Sequence, residues 1–336
     1  MRFWGVGNES WGCGGEFAPD EYAVEYRRYT AWVPEFGVKL ALIGSGPNGG
    51  DLDWTMRFFA KLTEKGKGAL GTMYGWALHY YCGTSGAGQA IDFTIDDWYS
   101  LLGKATRMES LITEHWSAMG EIDSEHRVKL VVDEWGAWHR AGTEVHPAYL
   151  FGQTPTMRDA LITALTLDTF HRHADKVAMS NAAQLINNLH CLFLAREDQF
   201  IVTPTYHVFA MYAAHQRAQA LRTLFAGPAH SGREKDDRWN VAGLAGSASL
   251  QGKTLVLTAV NTDAAQPLDA EILLRGAVAQ RATVSTLAHP DIHAHNSFAA
   301  PNTVEVRTAA IEARGSAFTY RLPPASVSKV TVELAS

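Results

Sequence analysis

Cysteine is scarce in this chain. Three occur in 336 residues, at Cys13, Cys82 and Cys191, odd in number and far apart. Such spacing excludes a disulfide framework and a paired-cysteine metal site, so the three read as reduced thiols. Positive charge is also short: 29 Lys and Arg against 35 Asp and Glu leave a formal net charge of −6. That balance excludes the basic footprint that nucleic acid or an anionic membrane requires. No apolar run is long enough to span a bilayer, and no signal peptide opens the chain. The Gly-rich run Gly44-Ser45-Gly46-Pro47-Asn48-Gly49-Gly50 has no Lys-Ser/Thr at a following helix start. It reads as a strand-end loop rather than a phosphate cradle.

What is present is apolar and aromatic. Hydrophobic residues make up 46% of the chain and ten are Trp, enough for a large core and two domains. Across residues 1–215, strand-like and helix-like patterns alternate. Strands are predicted over residues 2–7, 38–44, 73–81, 128–133 and 177–184. Helices are predicted over residues 20–34, 52–65, 94–119, 157–173 and 206–216. Alternation of this kind means a parallel sheet or barrel. After about residue 220 the pattern changes to short strand runs, 255–260, 270–274, 282–287 and 329–334, separated by Gly, Pro, Asn and Asp. That predicts an antiparallel β-sandwich. The expected division is a (β/α) portion over 1–218 and a sandwich over 219–336.

Two strand ends carry carboxylates. The first run closes as Gly7-Asn8-Glu9, and the fourth as Val132-Asp133-Glu134-Trp135. In a barrel of parallel strands that end is the catalytic face, and two carboxylates there suit glycoside hydrolysis. By itself Glu9 is as readily a solvated loop carboxylate or a salt-bridge partner. Asn8 adds weight, because a side-chain amide beside the acid can bond a sugar hydroxyl. Glu134 is the stronger signal, since a carboxylate at the end of a buried strand costs desolvation unless it is partnered. His79 and Tyr81 close the third strand on one side of it by alternation. A Tyr hydroxyl there can fix a carboxylate in one rotamer; both residues also fit as core aromatics. Gln184 stands at the expected end of the fifth strand, as a sugar contact or as a capping amide. Of the fourteen histidines, His289/His293/His295 and His171/His173 cluster, but neither set offers a third and fourth ligand at fixed spacing, so no metal site is expected.

Together, Trp4-Gly5-Val6-Gly7-Asn8-Glu9, His79-Tyr80-Tyr81 and Val132-Asp133-Glu134-Trp135-Gly136-Ala137-Trp138 resemble glycoside hydrolase family 51, chiefly α-L-arabinofuranosidases. Residues 182–187, 203–209, 291–298 and 322–327 also resemble family segments. The resemblance therefore covers essentially the whole chain. It implies a partial (β/α)8 TIM barrel, strands four to eight, followed by a C-terminal antiparallel β-sandwich. Glu9 would be the general acid/base and Glu134 the nucleophile. Asn8 would bind an arabinose hydroxyl, His79 and Tyr81 would support the nucleophile, and Trp138 and Gln184 would line the sugar subsite. The implied reaction is retaining release of terminal α-L-arabinofuranosyl residues from arabinoxylan, arabinan or arabino-oligosaccharides, with no cofactor and no metal. A β-xylosidase, an endoglucanase or a non-catalytic remnant are the competing readings. The partner is an arabinose-containing glycan, with no nucleic acid and no membrane, and homo-oligomerisation stays open. Compartment stays open too, with the cytoplasm favoured over secretion. The first three strand–helix units of the family have no counterpart here, so the chain is expected to be an N-terminally truncated fragment. Finally, two neighbouring carboxylates should raise the Glu9 pKa.

Overall fold

The computed structural model describes residues 1–34, 37–82, 86–234 and 237–335. The first part of the chain alternates strands and helices: β1 (Phe3–Val6), α1 (Pro19–Thr30), β2 (Ala41–Gly44), α2 (Leu52–Thr63), β3 (Met73–Tyr81), α3 (Ile95–Thr106), α4 (Met108–Gly120), β4 (Lys129–Gly136), α5 (Met157–Arg172) and β5 (Val177–Ala182). These five strands form one sheet in the order β1-β2-β3-β4-β5, with β1–β2 and β2–β3 parallel. A hairpin β6 (Phe193–Arg196), β7 (Gln199–Val202) and helix α6 (Pro204–Tyr212) follow. The rest is strand: β8 (Gln219–Leu221), β9 (Ala229–Glu234), β10 (Asp237–Ala242), β11 (Leu244–Gln251), β12 (Thr254–Asn261), β13 (Leu268–Leu273), β14 (Ala279–Leu287), β15 (Val306–Ile311), β16 (Ala317–Leu322) and β17 (Ser326–Leu334).

The chain packs as two compact units. One comprises Met1–Tyr81, Met108–Trp135 and His173–Asn181; the other comprises Cys82–Arg107, Gly136–Arg172 and Ala182–Ser336. In the first, one face of the sheet is closed by Ile43, Ala77 and Val131 with Tyr74 and Met179. The opposite side of β3 sends Trp76 against Phe58 at a ring separation of 4.3 Å and against Phe59 at 5.2 Å. Phe58 in turn stacks on Tyr22 of α1 at 5.3 Å. Trp76, Phe58 and Phe59 are fully buried, each contributing about 1.5–3 kcal/mol by area removed from water. These contacts fix α1 and α2 on β3, and so fix the strand ends that carry the polar residues.

In the second unit, β15-β14-β17-β12-β11-β8 make a six-stranded antiparallel sheet, and β13 pairs with β16. Between them lies a core of Leu255, Val284, Val330, Val332 and Phe318, with Ile272 packed against it. This is the antiparallel sandwich expected after residue 220, with more strands than the four apolar runs suggested.

Two of the differences from the sequence reading matter here. The single helix expected over 94–119 is two, broken at Arg107. Its N–H bonds Lys104 O at 3.2 Å, one residue short of helical register, and the Thr106 hydroxyl bonds Gly103 O at 2.7 Å. Side-chain bonding of that kind competes with the helical ladder. The fifth strand ends at Ala182, before Gln184.

Candidate active site

The site grows from the ends of β1, β3 and β4. After β1 the chain turns at Gly7 (φ +103), where a β-carbon would meet the Ser10 hydroxyl at 2.8 Å, and Glu9 follows at φ +44. This turn is tied down from α1. The Tyr22 hydroxyl donates to Val6 O and accepts from the Ser45 N–H at 2.6 Å, while the Ser10 N–H donates to Ser45 Oγ at 3.1 Å. Burial pushes the Tyr22 hydroxyl far up, so it remains a donor.

β3 is held by a second network. The Gly49 N–H donates to His79 O at 2.9 Å. His115 Nε2 lies 2.7 Å from Gly49 O, its Nδ1 lies 3.0 Å from the Thr55 hydroxyl, and Trp76 Nε1 donates to that hydroxyl at 3.1 Å. Only one tautomer satisfies this chain: Nε2–H donates to Gly49 O and Nδ1 accepts from Thr55. Burial lowers the His115 pKa and keeps the ring neutral. Tyr22, Thr55 and His115 carry no motif that the sequence reading could use.

The side chains thus presented meet at His79, which is 7% exposed. Its Nδ1 lies 3.1 Å from Glu9 Oε1 and 3.5 Å from Glu134 Oε2, and its Nε2 lies 3.2 Å from Asp133 Oδ1. The Tyr81 hydroxyl donates to Glu134 Oε1 at 2.6 Å. Cys13 donates from Sγ to Glu9 Oε2 at 3.3 Å. Burial of the Tyr81 phenol, reinforced by its bond to Glu134, pushes its pKa far up. Burial disfavours a charged His79, but the bonds to Asp133 and Glu9 outweigh it and raise the ring to about 10. The imidazolium in turn lowers Glu9 through its hydrogen bond; burial opposes this, and Cys13 assists it. The expectation that a neighbouring carboxylate raises Glu9 is therefore corrected. A cation sits between the two acids, and its attraction exceeds their repulsion.

Asn8 is exposed beside Glu9. Trp138 and Gln184 fall in the second unit. Trp138 is half-buried, its ring edge-on to Phe151 at 5.0 Å, and Gln184 is exposed two residues beyond β5. Asp133 and Cys13 are contacts the sequence reading missed. Asp133 was legible as the neighbour of Glu134; nothing local pointed Cys13 at Glu9.

Ligand atoms of Glu9, His79 and Glu134 lie within 4.8 Å of one another, the spacing of a metal cluster. In this arrangement the same atoms face one another: His79 Nδ1 lies 3.1 Å from Glu9 Oε1 and 3.5 Å from Glu134 Oε2. Elsewhere, His293 bridges Asp291 Oδ1 and Phe93 O, both at 2.9 Å, and His295 bonds His293 O at 3.1 Å. His171 bonds the Ser247 hydroxyl at 3.0 Å, and His173 pairs with Glu109.

The charge on His79 has a consequence for stability. Its folded pKa, about 10, lies above the ordinary 6.5. The stability it supplies is complete below pH 6.5 and is lost as pH rises through about 10. The melting temperature should fall across this window more steeply in the unsubstituted protein than in His79→Gln. Parallel curves would remove the imidazolium from the account.

Comparison with known proteins bears on the family and the fold. The family profile "Alpha-L-arabinofuranosidase C-terminal domain" matches residues 133–326, more than half of the chain. An "Intracellular exo-alpha-L-arabinofuranosidase" of Bacteroides ovatus is 33% identical over 308 residues, covering 91% of this chain and 58% of that protein. The family 51 arabinofuranosidase structure from Xanthomonas axonopodis pv. citri superposes with a TM-score of 0.88 at 30% identity, over 99% of this chain and 66% of that one. An arabinose complex of the Thermotoga maritima α-L-arabinofuranosidase gives 0.79 at 24% identity, again over 99% and 66%, which speaks to fold alone. The chain spans under two thirds of the length of each of these proteins, and its five-stranded sheet is part of their barrel. With a matching profile, a shared barrel-and-sandwich architecture and two carboxylates at the strand ends, this chain belongs to glycoside hydrolase family 51, the α-L-arabinofuranosidases.

Proposed function

We propose that Glu134 and Glu9 are the nucleophile and the acid/base of a retaining, exo-acting α-L-arabinofuranosidase. It would release terminal arabinofuranosyl residues from arabinoxylan, arabinan or arabino-oligosaccharides. The observation that supports this reading best is the closeness of the carboxylates: one oxygen of each lies within 4.8 Å of the other, with His79 touching both. That gap belongs with the ~5–5.5 Å carboxyl separation of retaining sites rather than the ~6.5–9.5 Å that leaves room for an inverting water.

In the first step a Glu134 oxygen attacks the anomeric carbon, and the glycosidic bond breaks as Glu9 gives its proton to the leaving oxygen. Tyr81 holds the nucleophile in one rotamer throughout. The resting site keeps Glu9 ionised, so the acid must first be loaded. His79 supplies the means: its proton crosses the 3.1 Å bond from Nδ1 to Glu9 Oε1. A sugar that displaces water from the pair favours this transfer, because desolvation penalises two charges more than a neutral acid and a neutral ring. In the second step ionised Glu9 takes a proton from water, the water oxygen attacks the anomeric carbon, and Glu134 is released as carboxylate.

Asn8 is assigned to an arabinose hydroxyl, and Trp138 and Gln184 to the walls of the sugar subsite. Residues 1–218 are assigned to the catalytic barrel portion and 219–336 to the C-terminal sandwich. The Bacteroides ovatus relative is named as intracellular, and the same compartment is assigned here; no helix among the described residues is long and apolar enough to cross a membrane.

Proton NMR of an aryl α-L-arabinofuranoside digest tests the reading. The α-anomer of arabinofuranose should appear first and mutarotate later. Initial β product would replace double displacement with inversion, and turnover of aryl xyloside or glucan in its place would change the substrate class.

A further inference from the structure

The loop after Glu9 winds tightly back on it. The Glu9 carbonyl accepts from the N–H groups of Gly12 at 2.8 Å and Gly14 at 3.0 Å, and the Phe17 N–H closes onto Ser10 O at 2.8 Å. A β-carbon at Gly14 would stand 1.7 Å from Asn8 O, so only glycine lets the chain pass. The outcome of this winding is one side-chain contact. Cys13 comes back over the Glu9 carboxylate, with Sγ 3.3 Å from Oε2, while Oε1 faces His79. Each oxygen of the carboxylate thus has one donor.

We propose that Cys13 is a positioning residue for the acid/base: its thiol donates to Oε2 of Glu9 and, with His79 on Oε1, fixes the plane of the carboxylate. The proposal rests on the reading of Glu9 as acid/base. A thiol is a weak donor, so its value lies in direction. A carboxylate held at one oxygen can swing about its last torsion; one held at both cannot. The same contact couples the two groups. The Cys13 thiol is raised by its bond to Glu9, with smaller effects of burial and of the charges on Glu9 and Glu134, and Glu9 is lowered in return by Cys13 after His79. Around the pair, Asp133 faces His79 from its Nε2 side and the Tyr81 hydroxyl donates to Glu134.

The contact can be tested without turnover. Cys13 is exposed, whereas Cys82 and Cys191 are buried and pushed by burial up to about 12 and about 11. Iodoacetamide under native conditions therefore reports on Cys13, with peptide mass spectrometry to confirm the site. Glu9→Gln removes the charge beside the thiol, so alkylation at pH 8 should become about three-fold or more faster. Equal rates in the two proteins would overturn the contact. The acid/base assignment is judged separately by azide rescue of Glu9→Ala, so either can fail alone. In turnover, Cys13→Ala should move the basic limb of the kcat/KM profile to higher pH, because a donor to the charged form of Glu9 is gone. Cys13→Ser restores a donor and should bring the limb back. A limb unmoved by Cys13→Ala would reduce the thiol to packing.

Discussion

Glu134→Ala should lower kcat by about 10⁴-fold or more on every arabinofuranoside, whatever the leaving group, because the residue proposed to form the covalent intermediate is gone. The structure motivates the severity. Tyr81 holds Glu134 at 2.6 Å and His79 stands 3.5 Å away, so the site is organised to present this one carboxylate. No other acid among the described residues takes its place: Glu9 and Asp133 are both engaged by His79. Added azide should restore some cleavage of an activated aryl substrate and give a glycosyl azide of inverted configuration, since an external nucleophile enters from the vacated side. A variant that retains a tenth or more of the activity would move the nucleophile to another residue.

Glu9→Ala should divide substrates by leaving group. Natural glycosides, whose leaving oxygen needs a proton, should lose about 10²–10⁴-fold in rate, the usual worth of a positioned acid. Aryl substrates that leave as stable phenolates should keep the first step and accumulate the covalent intermediate, so a burst should precede slow turnover. Azide needs no general base and should accelerate this variant, giving a product of retained configuration. The opposite stereochemistry of the two azide products is the diagnostic result. Equal losses on all substrates, with no azide effect, would remove Glu9 from the acid/base role while leaving the Glu134 assignment intact.

The two carboxylates were legible in the sequence because each ends a run of apolar residues, and a run of that kind is a local signal. Their contacts were not. His79 reaches Glu9 across 70 residues of chain, and Tyr81 reaches Glu134 across 53. Alternation placed His79 and Tyr81 on one side of β3 but could not say which acid each would touch. The error over Glu9 has the same origin. Two acids brought together repel, and the sequence contains nothing to show that an imidazolium would stand between them.

Strand reading was uneven for a related reason. The runs at β12 and β17 are apolar enough to announce themselves. In contrast, β9 reads Ala-His-Ser-Gly-Arg-Glu, and β11 reads Leu-Ala-Gly-Ser-Ala-Ser-Leu-Gln. Their strand identity comes from partners, β10 and β12 respectively, and pairing outweighs weak intrinsic preference. The break at Arg107 shows the converse case, where the apolar period runs on through a site at which the backbone bonds do not.

By itself, then, the sequence determined the alternation of strand and helix, the change to antiparallel strands, and the two acids at strand ends. Each of these is written in the spacing of neighbouring residues. Tertiary structure alone decided the charge on His79, the tautomer of His115, the hold of Tyr22 on the end of β1 and the return of Cys13 onto Glu9. A proton's position and a hydrogen bond's partner depend on distance and dielectric in three dimensions, and those exist only once the sheet has brought its strand ends together.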